Sequence, residues 1–285
     1  MPAKIGETGI DAHTGAGTNQ QSVCITDDFS GVVDDLSEVR DCTRHSVGLS
    51  FMVRFHFKQF SVAHDRASMK VGTDAILIGA WAATAATPAR ILDVGTGCGI
   101  IALMMAQRFP SAEVVGIDLH QASVLEAESN FQNSRWADRM LARHTALQDY
   151  STDRAFDLIV SNPPWFRNSL KPPDGVRDAA RHDDRLSAED LLDSCDRLLS
   201  TDGTLCCIVP IEHEELLCSA AIARGLSLHQ KCRVRPRPEL EPHRIMLALV
   251  RGESRLCDTE LAIEVKRHVP TSEYGMLTVE FLLKH

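Results

Sequence analysis

Ala89-Arg90-Ile91-Leu92-Asp93-Val94-Gly95-Thr96-Gly97-Cys98-Gly99 is the stretch whose reading decides the fold. A short apolar run stops at three alternating glycines, and the apolar segment 100–108 follows, ending before Pro110. That order reads as a buried strand, a tight turn and a helix. The same alternation continues outward. Strands are predicted at 89–94, 113–118, 140–144, 156–160, 204–209, 226–234 and 245–250. Helices are predicted at 121–133, 187–199 and 212–224, the second with Ser187 as N-cap and Glu189 and Asp190 in its first turn. Strands separated by helices of this length imply an α/β fold: a seven-stranded, mostly parallel sheet with helices on both faces.

Such sheets bind ligands beyond the carboxyl ends of their strands. The turn Gly95, Thr96, Gly97, Gly99 lies at one of these ends, where glycine lets the backbone approach a ligand at a helix N-terminus. Its spacing is Gly-x-Gly-x-Gly, not the Gly-x-Gly-x-x-Gly of dinucleotide binders. Asp93 stands directly before it. A carboxylate there repels a pyrophosphate and attracts the ammonium of a methionine moiety, so S-adenosylmethionine is the expected cofactor. Asp118, with Leu119 beside it, ends the second strand, where an acid accepts hydrogen bonds from both ribose hydroxyls. Capping of the next helix is another role open to Asp118, compatible with the first. The loop 145–149 would flank the adenine, leaving the backbone N–H of Leu147 and the neighbouring Gln148 to read its edge.

The fourth predicted strand runs into Ser161-Asn162-Pro163-Pro164-Trp165-Phe166. Paired prolines end the strand and set a rigid turn. An amine on an aromatic ring is a poor nucleophile because its lone pair is delocalised. The Asn162 carboxamide oxygen and the Pro163 carbonyl, aimed at its two N–H bonds, favour a pyramidal nitrogen whose lone pair faces a methyl donor. Pro164 keeps both acceptors in place. Trp165 offers a face for stacking a base, worth about 1–3 kcal/mol, and Phe166 is either a second wall or core.

Composition bounds the class. The 285 residues, 44% hydrophobic and 24% charged, suit a soluble α/β domain. No apolar run approaches the roughly 18 residues of a membrane helix, and no basic-then-apolar leader opens the chain, so a cytoplasmic protein without membrane partners is expected; a monomer is expected as well. Nine scattered cysteines without a Cys-x-x-Cys pair read as reduced core thiols, with no metal site. Residues 1–50 hold three basic and eight acidic residues with no sustained period and are expected to be a disordered extension before a domain over 51–285. Net charge is −9, yet basic residues cluster locally. Lys231, Arg233, Arg235, Arg237 and Arg244 crowd the last strands, and Arg167, Lys171, Arg177, Arg181 and His182 follow the tetrad. Together they suit the phosphates of a splayed RNA loop. Solvated surface, ion-paired to Asp174, Asp178, Asp183 and Asp184, is the other reading.

Phe57-Lys58-Gln59-Phe60-Ser61-Val62, His64-Asp65-Arg66, Met69-Lys70-Val71-Gly72-Thr73-Asp74, Leu77-Ile78-Gly79-Ala80-Trp81 and Ala180-Arg181-His182, with the glycine turn and the tetrad, resemble the bacterial tRNA adenine-N6 methyltransferases that act on valine tRNA beside the anticodon. The likeness covers roughly 55–251. It implies a class I methyltransferase, Rossmann-like fold and methyl transfer to N6 of adenosine 37, with the tRNA anticodon stem-loop as partner. It also implies that Lys70, Thr73 and Asp74 cap the cofactor. Trp165 stands where tyrosine is common, the acidic 1–50 is unusual, and the chain ends soon after Phe281. A protein-glutamine N5 methyltransferase, a ribosomal guanine-N2 methyltransferase and an inactive cofactor-binding scaffold remain as alternatives.

Overall fold

The structure, a computed structural model, describes residues 54–67, 70–83, 86–163 and 186–283. The acidic segment 1–50 lies outside them. The strands are β1 (Arg54–His56), β2 (Ser61–Ala63), β3 (Arg90–Val94), β4 (Glu113–Asp118), β5 (Met140–His144), β6 (Phe156–Ser161), β7 (Leu199–Pro210), β8 (Leu226–Arg235), β9 (Arg244–Arg251), β10 (Cys257–Ala262), β11 (Glu264–Lys266) and β12 (Val269–Pro270). The helices are α1 (Thr73–Trp81), α2 (Ile100–Arg108), α3 (Gln121–Gln132), α4 (Ala188–Leu198), α5 (Glu214–Ile222) and α6 (Ser272–Thr278).

The main sheet has the order β10-β8-β9-β7-β6-β3-β4-β5. Its seven expected strands are present. The expected total of seven is corrected to eight, because β10 adds in parallel beside β8, with Asp258 opposite Lys231 and Glu260 opposite Arg233. Four of its six residues are exposed, so it carries no apolar alternation by which to be read. Only β9 runs antiparallel to its neighbours β7 and β8. From β3 the chain builds outward through β4 and β5, then returns to β6 on the other side of β3. In open α/β sheets such a reversal, here at the carboxyl ends of β3 and β6, is where ligands bind.

Two apolar layers cover the sheet. One is built on α1 and α2 with Phe131 and Phe281, the other on α4 and α5 with Phe156. Helix α4 starts where expected: Ser187 Oγ accepts from Asp190 N at 3.0 Å in a capping box. Helix α5 starts at Glu214, two residues later than expected, after a 3-10 turn over Ile211–His213. Asp157 ties the opposite end of the sheet, accepting from Ala89 N at 2.9 Å, Arg90 N at 3.1 Å and Ser200 Oγ at 3.1 Å. Cys195, Cys206 and Cys207 are fully buried, and burial pushes the Cys206 thiol up to about 12. Among the described residues no helix is long and apolar enough to cross a membrane. No group of three His, Cys, Asp or Glu among them is arranged to hold a metal.

The amino-terminal hairpin β1-β2 packs by its aromatic rings. Phe57 stacks on Phe60 at 4.4 Å, and Phe60 meets Trp136 edge-on at 5.8 Å. Lys58 N donates to Phe281 O at 2.8 Å, so the carboxyl-terminal segment closes on the same layer.

Candidate active site

The glycine turn takes its shape from three left-handed residues. Gly95, Gly97 and Gly99 have φ of 72°, 55° and 85°, a region where other L-residues are strained. The three are not equivalent. A methyl group at Gly99 would sit 2.5 Å from Phe131 Cε1 and 3.2 Å from Ala127 Cβ, so this glycine lets α3 pack on the turn. At Gly95 and Gly97 a methyl group would meet nothing within 4 Å. Those two residues leave open space where a ligand can approach the backbone.

Asp93 is fully buried beneath the turn. Its Oδ2 accepts from Thr96 Oγ1 at 2.7 Å and from Ala102 N at 3.0 Å. Its buried Oδ1 has no hydrogen-bond partner. Burial outweighs the two donors and pushes the carboxyl up to about 7, with a small further contribution from the Asp118 charge. A buried carboxylate oxygen in want of a donor fits a cationic ligand group.

Asp118, nearly buried at the end of β4, ties the second loop to the first. Oδ2 accepts from Gly97 N at 2.9 Å and Oδ1 from His120 N at 2.8 Å. The N-cap of α3 is His120, so Asp118 holds the turns and does not cap the helix. Each oxygen keeps acceptor capacity for a ribose hydroxyl. Leu119 beside it is exposed, an apolar side chain available to a purine face. In the third loop Leu147 is buried in the second core layer and Gln148 is exposed. Thr145 N donates to Asp118 O at 3.1 Å, which joins this loop to the same edge. The donor set therefore fits S-adenosylmethionine: an unpartnered carboxylate oxygen, two open glycines and a two-oxygen acid stand along one sheet edge.

Asn162 is placed by register. Val94 pairs with Ser161 across β3 and β6, and Ser161 Oγ donates to Val94 O at 2.9 Å. The next residues, Gly95 and Asn162, therefore leave adjacent strands at the same level. Asn162 is half-buried and Pro163 buried. Pro164, Trp165, Phe166, Arg177, Arg181 and His182 lie outside the described residues, as do the acidic partners weighed for them at 174, 178, 183 and 184.

Helix α1 begins at Thr73, whose buried Oγ1 is without a partner. Lys70 is exposed. Asp74 Oδ2 accepts from Arg244 Nε at 2.8 Å, which fastens α1 to β9. The other basic residues of the last strands are also matched. Lys231 pairs with Glu214 at 3.1 Å and Asp258 at 3.2 Å, Arg233 with Asp258 at 3.0 Å, Arg235 with Glu260 at 2.6 Å and Arg237 with Glu239 at 3.3 Å. Reading the sequence left out Ser161, Glu126 and Asn130, all buried polar residues. The available signal was two polar residues, at 126 and 130, adjoining the apolar stripe of Val124, Ala127 and Phe131 on α3.

Comparison with known proteins bears on the family and the fold. The methyltransferase small domain family matches residues 66–214. A tRNA1(Val) (adenine(37)-N6)-methyltransferase of Phocaeicola vulgatus is 42% identical over 80% of this chain and 97% of its own length. A protein of the same name from Parabacteroides distasonis is 41% identical over 81% and 98%. In fold, the chain is similar to a predicted O-methyltransferase of Agrobacterium tumefaciens, with TM-score 0.58 and 20% identity over 73% of this chain and 96% of that one.

Proposed function

Because the chain belongs to the methyltransferase small domain family, and within it to the tRNA1(Val) (adenine(37)-N6)-methyltransferases, we propose that it transfers a methyl group from S-adenosylmethionine to N6 of adenosine 37 in valine tRNA. The observation that carries the reading is the register of β3 and β6, which sets Asn162 level with Gly95 above the buried carboxylate of Asp93. The cofactor, when bound, supplies an electrophilic methyl group. Asp93 Oδ1 would hold its ammonium, the open backbone at Gly95 and Gly97 would lie against it, and Asp118 would accept hydrogen bonds from its ribose hydroxyls. Thr73 and Lys70 contribute the cap beside it.

Asn162 Oδ1 and the Pro163 carbonyl accept the two N–H bonds of the adenine amine. The nitrogen becomes pyramidal and its lone pair points at the methyl group. As the N–C bond formed, the S–C bond of the donor would break to leave S-adenosylhomocysteine, and the methylated nitrogen, being acidic, would lose its proton to water, so no strong base is needed. An anticodon-loop adenine is already single-stranded, so turning it into the site costs little. Trp165 stacks on it, and the basic residues Arg177, Arg181 and His182 meet the flanking phosphates. The substrate places the reaction in the cytoplasm, and one chain carries all these residues, so a monomer suffices.

Incubation of the protein with labelled cofactor and total tRNA from a strain lacking this modification, followed by nucleoside mass spectrometry, tests the reading. N6-methyladenosine confined to valine tRNA is expected. N2-methylguanosine, or no labelled nucleoside, sinks it.

A further inference from the structure

Two of the buried polar side chains of helix α3, Glu126 and Asn130, stand one turn apart. Both reach a segment more than fifty residues earlier. Asn130 Oδ1 accepts from Ala63 N at 2.9 Å, and its Nδ2 donates to Ala63 O at 2.8 Å. The same Nδ2 donates to Cys98 O at 2.8 Å, inside the glycine turn. Glu126 takes two further amides of that segment: Arg66 N on Oε1 at 3.0 Å and Ala67 N on Oε2 at 2.7 Å. Residues 61–67 therefore form a strap clipped to α3 at three points, and one of the two clips also grips the turn. The strap leads on in sequence to Lys70–Asp74 and the start of α1. Gly99 lets Ala127 and Phe131, on the same face of α3, press directly on the turn.

Burying a carboxylate and a carboxamide is costly unless their hydrogen bonds are made. An apolar pair would hold the layers together at lower cost, but it would not fix backbone positions. We propose that Glu126 and Asn130 are positioning residues of the cofactor site: they lock the strap, the glycine turn and, through the strap, the entry to α1 into one unit. The proposal rests on reading the turn as the cofactor cradle. It predicts that cofactor binding and order in the strap are coupled, since a ligand seated on the turn steadies the Cys98 carbonyl that Asn130 grips.

Two variants and one measurement on the unaltered protein test it. Glu126→Gln keeps one acceptor of two. Asn130→Asp loses both donors and faces two carbonyls with a charge. Calorimetry with S-adenosylhomocysteine is expected to show affinity weakened about tenfold or more in each variant, the scale of losing a hydrogen bond to a buried group. KM for S-adenosylmethionine rises in parallel, while kcat at saturating cofactor and KM for tRNA stay within about threefold. In the unaltered protein, hydrogen exchange at the amides of Ala63, Arg66 and Ala67 slows when S-adenosylhomocysteine binds, and the variants lose that protection. Unchanged affinity in both variants, or strap amides in the unaltered protein that ignore the ligand, overturns the coupling. Failure of the unaltered protein to bind S-adenosylhomocysteine overturns the cofactor reading and this proposal with it. Failure confined to the variants' response overturns this proposal alone.

Discussion

Asp93 bears the strongest electrostatic conflict of the site. Burial raises its carboxyl to about 7, far above an ordinary aspartate. Between about pH 4 and 7 the folded chain holds a proton that the unfolded chain has lost, so this residue's contribution to stability falls as pH rises through that window and is gone above it. An ammonium on Oδ1 needs the ionised form. Cofactor binding below pH 7 must then expel a proton, and affinity drops by up to about tenfold per pH unit as the medium acidifies. Calorimetry of S-adenosylhomocysteine at pH 6 in two buffers of different ionisation enthalpy checks this: close to one proton released is expected at pH 6 and almost none at pH 8. Equal heats in the two buffers at pH 6 exclude the coupling. Asn162 is the opposite kind of residue, half-buried and at the rim. Asn162→Ala is expected to keep cofactor affinity and lose at least about a hundredfold in kcat, the cost of one positioned dipole. Ordinary turnover in that variant removes the proposed role.

At the scale of elements, β8 and β10 decide what the basic stripe can do. Lys231, Arg233 and Arg235 on β8 face Glu214, Asp258 and Glu260, so the cluster is matched charge for charge. Releasing a counterion from RNA requires an uncommitted cation. Arg233→Ala is therefore expected to leave the salt dependence of tRNA binding almost unaltered. A fall in the slope of log affinity against log salt by about 0.7–0.9, the signature of one lost phosphate contact, would instead put Arg233 on the RNA. These pairs are partly exposed and each adds little stability. Their consequence is electrostatic: each acid offsets the charge that its basic partner on β8 would otherwise present.

For the whole molecule, the described residues close two core layers by themselves, and the hairpin β1-β2 is joined to the carboxyl-terminal segment through Lys58 and Phe281. Deleting residues 1–50 is accordingly expected to shift the melting temperature by no more than a few degrees, the scale of about 1 kcal/mol. A larger fall would mean that the acidic extension packs on the domain. Seven of the strands, the glycine turn at 95–99 and the end of β6 before Asn162 were legible in the sequence because each rests on local signals: apolar runs, alternating glycines and prolines that stop a strand. Strand β10 was not, since an edge strand with exposed residues needs no apolar pattern. The matching of Arg233 and Arg235 was not, since their acids lie 25 residues away and only the parallel register of β8 and β10 brings them together. Glu126 and Asn130 look like ordinary polar residues of a surface helix until the strap, 59 to 67 residues distant, folds over them. By itself the sequence determined seven of the sheet's eight strands, the turn and the residue types offered at their edge, because backbone geometry and hydrophobic period are local properties. Tertiary structure alone decided which polar groups are buried and with whom charges pair, because burial and Coulomb contact depend on neighbours that the chain meets only once folded.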